Sequence, residues 1–492
     1  MSGGFDAVIA NGTVVTEGGP VACEVGIKDG RITALGENLT GGERVDAAGL
    51  IVLPGGVDSH CHVDQVDPGN GHGAESFVSG TRSALAGGTT TLISFVSQHR
   101  GEAIADVLAE SMRRGETACA DYSFHQIISD PSDQVINVDI PAVIKAGIRS
   151  LKVFLTYEDA RLDDHQFLRV LAAARRHGAL VTVHCENYQA IRWLTEQLLA
   201  RGMTAPKYHA WSRPEVVERE ATYRTIALAE LVDQPIQIFH VSGHGVAAEI
   251  ERAQRRGLKV WAETCPQYLV LSAGDMDRPG LEGAKFMCSP APRDLSDVEA
   301  FWDDIRRGVV GNVSSDHSAF FLTGPQNSKD MHGRDADFSR IPNGVPGVGS
   351  RMALVFSEGV AAGRIDLATF ARVTATNAAK LFGLDPQKGA IAVGSDADLV
   401  LWDPRREVTI TNDLLQHAVD YTPYEGRRVT GWPVATYLRG RLAMSNGEVL
   451  ARPGDGRFLP RGPYPAIAPR GATPNGFDAA RLAPGETSKA NA

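Results

Sequence analysis

Eight short runs rich in β-branched and apolar residues recur along the middle of this chain, separated by stretches of helical character. The runs are LIVLPGGVDSH, GGTTTLISFV, ADYSFHQII, RSLKVFLTY, ALVTVHCEN, PIQIFHVSG, LKVWAETC and GNVSSDH. Between them lie segments such as FVSGTRSALAG, DHQFLRVLAAARRHG, ATYRTIALAELVD and VAAEIERAQRRG. The runs do not alternate polar with apolar residues, as expected of strands covered on both faces of a parallel sheet. Strand and helix alternating eight times predict an α/β fold, a (β/α)8 TIM barrel over residues 52–385.

Both ends of the chain read differently. Residues 1–51 show short strands punctuated by NG, GG and DG turns at hairpin spacing. Similar text returns over residues 386–452, in GAIAVGSDADLVLWDP and VATYLRGRLAMSNGEVL. One small β domain built from both ends, with the barrel inserted, is the economical arrangement. Residues 453–492 are rich in Pro and Gly and predict an extended tail, either disordered or laid over a neighbouring subunit.

The net charge of −10 argues against nucleic-acid or anionic-membrane partners, which need a concentrated positive face. The six cysteines are scattered without a CxxC pair, so no disulfide scaffold is expected. No apolar run approaches the roughly 18 residues of a membrane span, and the start lacks the pattern of a secretory leader. The expectation is a reduced, soluble, cytoplasmic protein.

Potential metal donors stand at the carboxyl ends of the runs, where active sites of barrels gather. His60 and His62 end the first as HxH, with both side chains on one side of a strand. His184 ends the fifth run, His240 the sixth and Asp316 the eighth, and Lys152 is embedded in the fourth. Singly, each has an ordinary explanation: a satisfied histidine, a capping aspartate, a lysine reaching outward along its strand. His72, His99, His125, His165, His177, His209, His244, His332 and His417 are left with that explanation. Jointly the pattern is harder to dismiss. A lysine among Leu, Val and Phe is costly while charged, and should be neutral, paired or modified. A neutral amine can add carbon dioxide to give a carbamate, whose two oxygens can bridge two cations. Imidazole and carboxylate donors suit Zn²⁺, with Mn²⁺, Co²⁺ or Fe²⁺ as substitutes.

The landmarks GGVDSHCHVD, LKVFLTY, VHCEN, FHVSG, ETCPQYL, FMCSPAPRD, SSDHSAF, IPNGVPGV and HAVDYTPYEG follow one another over nearly the whole chain. In this order they resemble the dihydropyrimidinase/D-hydantoinase family of cyclic amidases, within the amidohydrolase superfamily. The resemblance implies a TIM barrel, a β-sandwich domain from both termini, two Zn²⁺ ions per chain and a homotetramer, or a homodimer. It implies that His60 and His62 hold one metal, His184 and His240 the other, that Lys152 as N6-carboxylysine bridges them, and that Asp316 ligates the first. It implies hydrolysis of a small cyclic amide by a hydroxide held between the ions. Tyr157 would stabilise the oxyanion, Asp316 would carry the proton to the leaving nitrogen, and Ser289 and Asn343 would bind the imide edge of the ring, largely through backbone groups.

Some features depart from the family pattern. Cys61 stands where this branch usually has Thr, and is expected to pack away from the metals. Asp64 stands where dihydroorotases carry an Arg that grips a substrate carboxylate, and would repel that group. The segments 63–75 and 97–101 are polar, which predicts a small or polar ring substituent hydrogen-bonded by His72, Gln98, His99 or Arg100. The rival readings are an allantoinase-like or other cyclic-ureide hydrolase, a mononuclear deaminase, and a non-catalytic scaffold. An intact ligand set weighs against the scaffold.

Overall fold

A computed structural model of the chain describes residues 4–67, 71–474 and 476–478. Eight parallel strands lie side by side in chain order: β1 (Gly56–Asp58), β2 (Thr89–Val96), β3 (Asp121–Ile127), β4 (Ser150–Phe154), β5 (Leu180–His184), β6 (Ile236–Ile238), β7 (Val260–Thr264) and β8 (Asn312–Val313). Each corresponds to one of the eight runs. All eight residues of β2 and all seven of β3 are buried, which accounts for the missing alternation. The ring closes just beyond the first and last strands. There the Asp316 N–H donates to the His60 carbonyl at 2.9 Å and the His62 N–H to the His317 carbonyl at 2.7 Å.

The surrounding helices carry local signals that fix their ends. Ser76 and Ser79 form a reciprocal cap at the start of the helix Phe77–Ala86. Asp163 and Gln166 do the same for Asp164–His177, which stops at Gly178 in the left-handed conformation (φ 73°).

The second domain is built from both ends of the chain. Its four-stranded sheet comprises Phe5–Ala10, Glu24–Lys28, Arg31–Gly36 and Gly41–Asp46, and its seven-stranded sheet mixes both termini. Ile51–Pro54 pairs antiparallel with Leu399–Thr409, placing Leu53 opposite Val400. The run LIVLPGGVDSH is therefore two strands, Ile51–Pro54 in this domain and β1 in the barrel. The break falls at Gly55, where a Cβ would collide with the Thr90 side chain. Val14, Val25, Ile27, Val52, Leu399 and Leu401 are among the residues of this domain's own apolar core.

The described part of the tail neither hangs free nor reaches away from its own barrel. Leu459 N–H donates to the Tyr122 carbonyl at 2.7 Å, and Tyr122 N–H to the Arg457 carbonyl at 2.9 Å. Arg461 is buried, with one guanidinium nitrogen 2.9 Å from Ser150 Oγ. Residues 479–492 lie outside the described residues. No helix among the described residues is long and apolar enough to cross a membrane.

Candidate metal centre and substrate cleft

The carboxyl ends of the strands open into a cleft of about 530 Å³. His60, His62, Lys152, His184, His240 and Asp316 all border it, as do Tyr157, Ser289 and Asn343. Three donors meet closely: His60 Nε2 and His62 Nε2 each lie 3.1 Å from Asp316 Oδ1. The other two imidazoles stand next to them. The rings of His184 and His240 are 4.3 Å apart between centroids, and His240 is 5.3 Å from His60.

Three of the imidazoles are held through one ring nitrogen. His60 Nδ1 is 2.7 Å from Glu263 Oε1, His62 Nδ1 is 2.5 Å from Gln65 Oε1, and His184 Nε2 is 2.7 Å from Glu186 Oε2. Such partners set which ring nitrogen is left to bind a metal. Glu186 is itself held by Arg213 at 2.7 Å. Burial, reinforced by Lys152, keeps His184 and His240 well below the ordinary imidazole range, so both are neutral donors. Burial would raise the Asp316 carboxyl, but His60 and His62 outweigh it and hold the group well below the usual carboxylate range. The reciprocal attraction of Asp316 and Glu263 raises His60 against its burial.

Lys152 is wholly buried and turns inward from β4. Its Nζ lies 4.3 Å from the centroid of Phe239, 4.8 Å from Phe154 and 5.6 Å from Phe95. Burial lowers its pKa to about 8, with Asp316 and Glu263 opposing the fall. Among the buried polar atoms without a hydrogen-bond partner are His240 Nδ1 and Lys152 Nζ. Buried nitrogens are rarely left unsatisfied, and these sit where metal ligands and a modified amine would be needed. The donor set therefore fits a divalent metal centre.

Three residues that border the cleft carry backbone strain. Tyr157, His240 and Asp316 have φ of 67°, 41° and 47°. Non-glycine residues in this region cost of order 1–3 kcal/mol each, and such strain collects at functional sites. Tyr157 stacks edge-on to His184 at 5.4 Å. Burial pushes its pKa to about 12, so the hydroxyl keeps its proton.

The polar-loop expectation changes on inspection. Gln98 borders the cleft, but its amide oxygen accepts from the N–H groups of Ser129 and Asp130, at 3.1 and 3.2 Å. Arg100 donates to the carbonyls of Asp159, Glu158 and Arg161 and does not border the cleft; it fastens one loop to another. The side chain of His72 lies outside the described residues. His99 does border the cleft, and its Nδ1 is buried without a partner. Asp64 does not border the cleft and stands 3.6 Å from Arg114, so it repels nothing in the site. Cys61 is buried and packs toward the Ile93 carbonyl at 3.7 Å, as expected.

Sequence reading missed Glu263, Glu186, Arg213 and Gln65, which hold the ligands, and His332, which reaches the cleft from a long loop. Glu263 and Glu186 carried a usable signal: an acid at the end of an otherwise apolar run must be partnered.

The model of the "Amidohydrolase family" matches residues 51–443. The D-hydantoinase of Ralstonia pickettii is 44% identical, covering 94% of this chain and 100% of its own. That of Rhizobium radiobacter is 43% identical over 94% of this chain and 100% of its own. The crystal structure of dihydropyrimidinase from Brevibacillus agri NCHU1002 superposes with a TM-score of 0.90 at 39% identity, covering 93% of this chain and 99% of that one. The barrel, the strand-end donors and these likenesses converge: the chain belongs to the amidohydrolase family, in its dihydropyrimidinase/D-hydantoinase branch.

Proposed function

We propose that this protein is a metal-dependent cyclic amidase. It opens the ring of a dihydropyrimidine, hydantoin or related cyclic imide to an N-carbamoyl amino acid or half-amide. The observation that carries this reading is the meeting of His60 Nε2 and His62 Nε2 on Asp316 Oδ1, each at 3.1 Å, in the cleft that also receives the partnerless amine of Lys152. The names of its relatives, D-hydantoinase and dihydropyrimidinase, support the substrate class.

His60, His62 and Asp316 would hold one cation and His184 and His240 a second, with carboxylated Lys152 serving both; Zn²⁺ suits these donors best. When bound, the cations supply a water acidic enough to attack near neutral pH and polarise the carbonyl.

The remaining work falls to side chains of this chain. The Asp316 carboxylate takes a proton from the attacking water and delivers it to the ring nitrogen as the C–N bond breaks. The Tyr157 hydroxyl donates to the carbonyl oxygen as negative charge builds there. Backbone groups of Ser289 and Asn343 hold the imide edge, so that the scissile carbonyl is presented in one orientation. The rings of Phe95, Phe154 and Phe239 shield Lys152 from water. The same reading carries a homotetramer or homodimer in the cytoplasm, acting on a small molecule.

A substrate panel on metal-defined protein tests the proposal: dihydrouracil, hydantoin, 5-phenylhydantoin, succinimide, allantoin and dihydroorotate. Turnover of a hydantoin or dihydropyrimidine with about two metal ions per chain is the expected result. A preference for dihydroorotate or allantoin, or turnover that survives complete metal removal, would overturn it.

A further inference from the structure

Lys329 lies in the loop that runs from Asp316 to Asn343, and its side chain is fully buried. Its ammonium donates to the carbonyls of Pro342 and Gly344 at 2.7 Å each and to that of Met287 at 3.3 Å. The first two acceptors flank Asn343, and the third stands two residues before Ser289. The Gly344 N–H also reaches the Met287 carbonyl, at 2.9 Å. Among the described residues no carboxylate pairs with Lys329, so these carbonyls are what offsets its burial, one for each N–H. The ring of Phe320, which borders the cleft, has its centroid 5.5 Å from Nζ. On the other side of the Ser289 loop, His209 Nε2 lies 2.9 Å from the Cys288 carbonyl. A single buried lysine thus joins two loops from different strands, and each carries one of the residues assigned to the ring edge.

We propose that Lys329 is a positioning residue that sets the spacing between the Ser289 and Asn343 loops, and thereby how tightly the imide edge of the substrate is held. This rests on the roles given to Ser289 and Asn343 above. That edge contains the C–N bond that breaks, so the grip bears on both the binding of the ring and the orientation of the reacting amide. Loosening such a grip lowers kcat/KM without removing metal.

Lys329→Met keeps the stem and removes all three donors. With whichever hydantoin or dihydropyrimidine the native protein turns over, kcat/KM should fall about tenfold or more. Metal content should match the native protein, and Lys329→Arg, which restores N–H donors, should recover part of kcat/KM. A native kcat/KM in folded Lys329→Met overturns the proposal, as does a fall that tracks lost metal or that Lys329→Arg does nothing to reverse. If that variant does not fold, Lys329→Gln carries the same comparison. Failure of both to fold makes Lys329 purely structural and also overturns the proposal. Inactivity of the native protein on the whole panel would instead strike at the assigned reaction.

Discussion

His60 Nδ1 lies 2.7 Å from Glu263 Oε1, and neither side chain touches solvent. The carboxylate fixes a proton on Nδ1 and leaves Nε2 free to face Asp316. Glu263→Gln keeps the shape but offers the imidazole a weaker and ambiguous partner. Metal affinity should fall about 10–100-fold, read by competition with a chromogenic chelator. An unchanged affinity would remove Glu263 from the support of the site.

Lys152→Ala removes the only lysine among the described residues that borders the cleft. Turnover should drop by at least about a hundredfold even after metal is resupplied, because the anionic ligand that the proposed centre would share between its cations would be lost. Short carboxylates such as acetate or propionate should restore part of it by entering the vacated space. Normal turnover at ambient carbon dioxide would show that the amine has no part in the centre.

Tyr157→Phe deletes one hydroxyl and leaves the ring that packs edge-on against His184. The expected cost is about 10²–10³ in kcat, the usual loss for one oxyanion donor. Steady-state kinetics at constant metal content reads it; a kcat within a few fold of native would show that the hydroxyl does not meet the developing charge.

Stability should fall in mild acid through His209. Burial draws its pKa from 6.5 to about 3, although its Nε2 has the Cys288 carbonyl at 2.9 Å. The unfolded chain takes up a proton below about pH 6.5, and the folded chain cannot do so until about pH 3. Its stabilising contribution is therefore complete above pH 6.5 and is lost as the pH falls. At pH 5 the loss is about 2 kcal/mol. Denaturant melts at pH 7 and pH 5 should show a smaller drop for His209→Gln than for the native protein; equal drops would exclude His209 as a source.

The eight strands were legible because burial on both faces imprints an unbroken apolar run, and their order followed from chain order alone. The donors were legible because a strand end must lie at one mouth of the barrel, so HxH, His184, His240 and Asp316 could be brought together without knowing a distance. Lys152 stood out because its neighbours in sequence are apolar. Loops gave up less. Gln98 and Arg100 read as substrate contacts, but their amide and guanidinium groups are taken by backbone groups of neighbouring loops, and nothing local in the sequence says so. Lys329 was overlooked for the same reason: its acceptors are carbonyls, which every residue has.

The junction where the Asp316 N–H meets the His60 carbonyl joins the two ends of the strand cylinder. A cation gripped by His60, His62 and Asp316 would clasp that join from the side-chain face, while the peptide bonds fasten it from behind. Stripping the ion should thus weaken the whole cylinder rather than one corner of it. Thermal scans with and without chelator would register this as a lowered melting temperature of the single main transition.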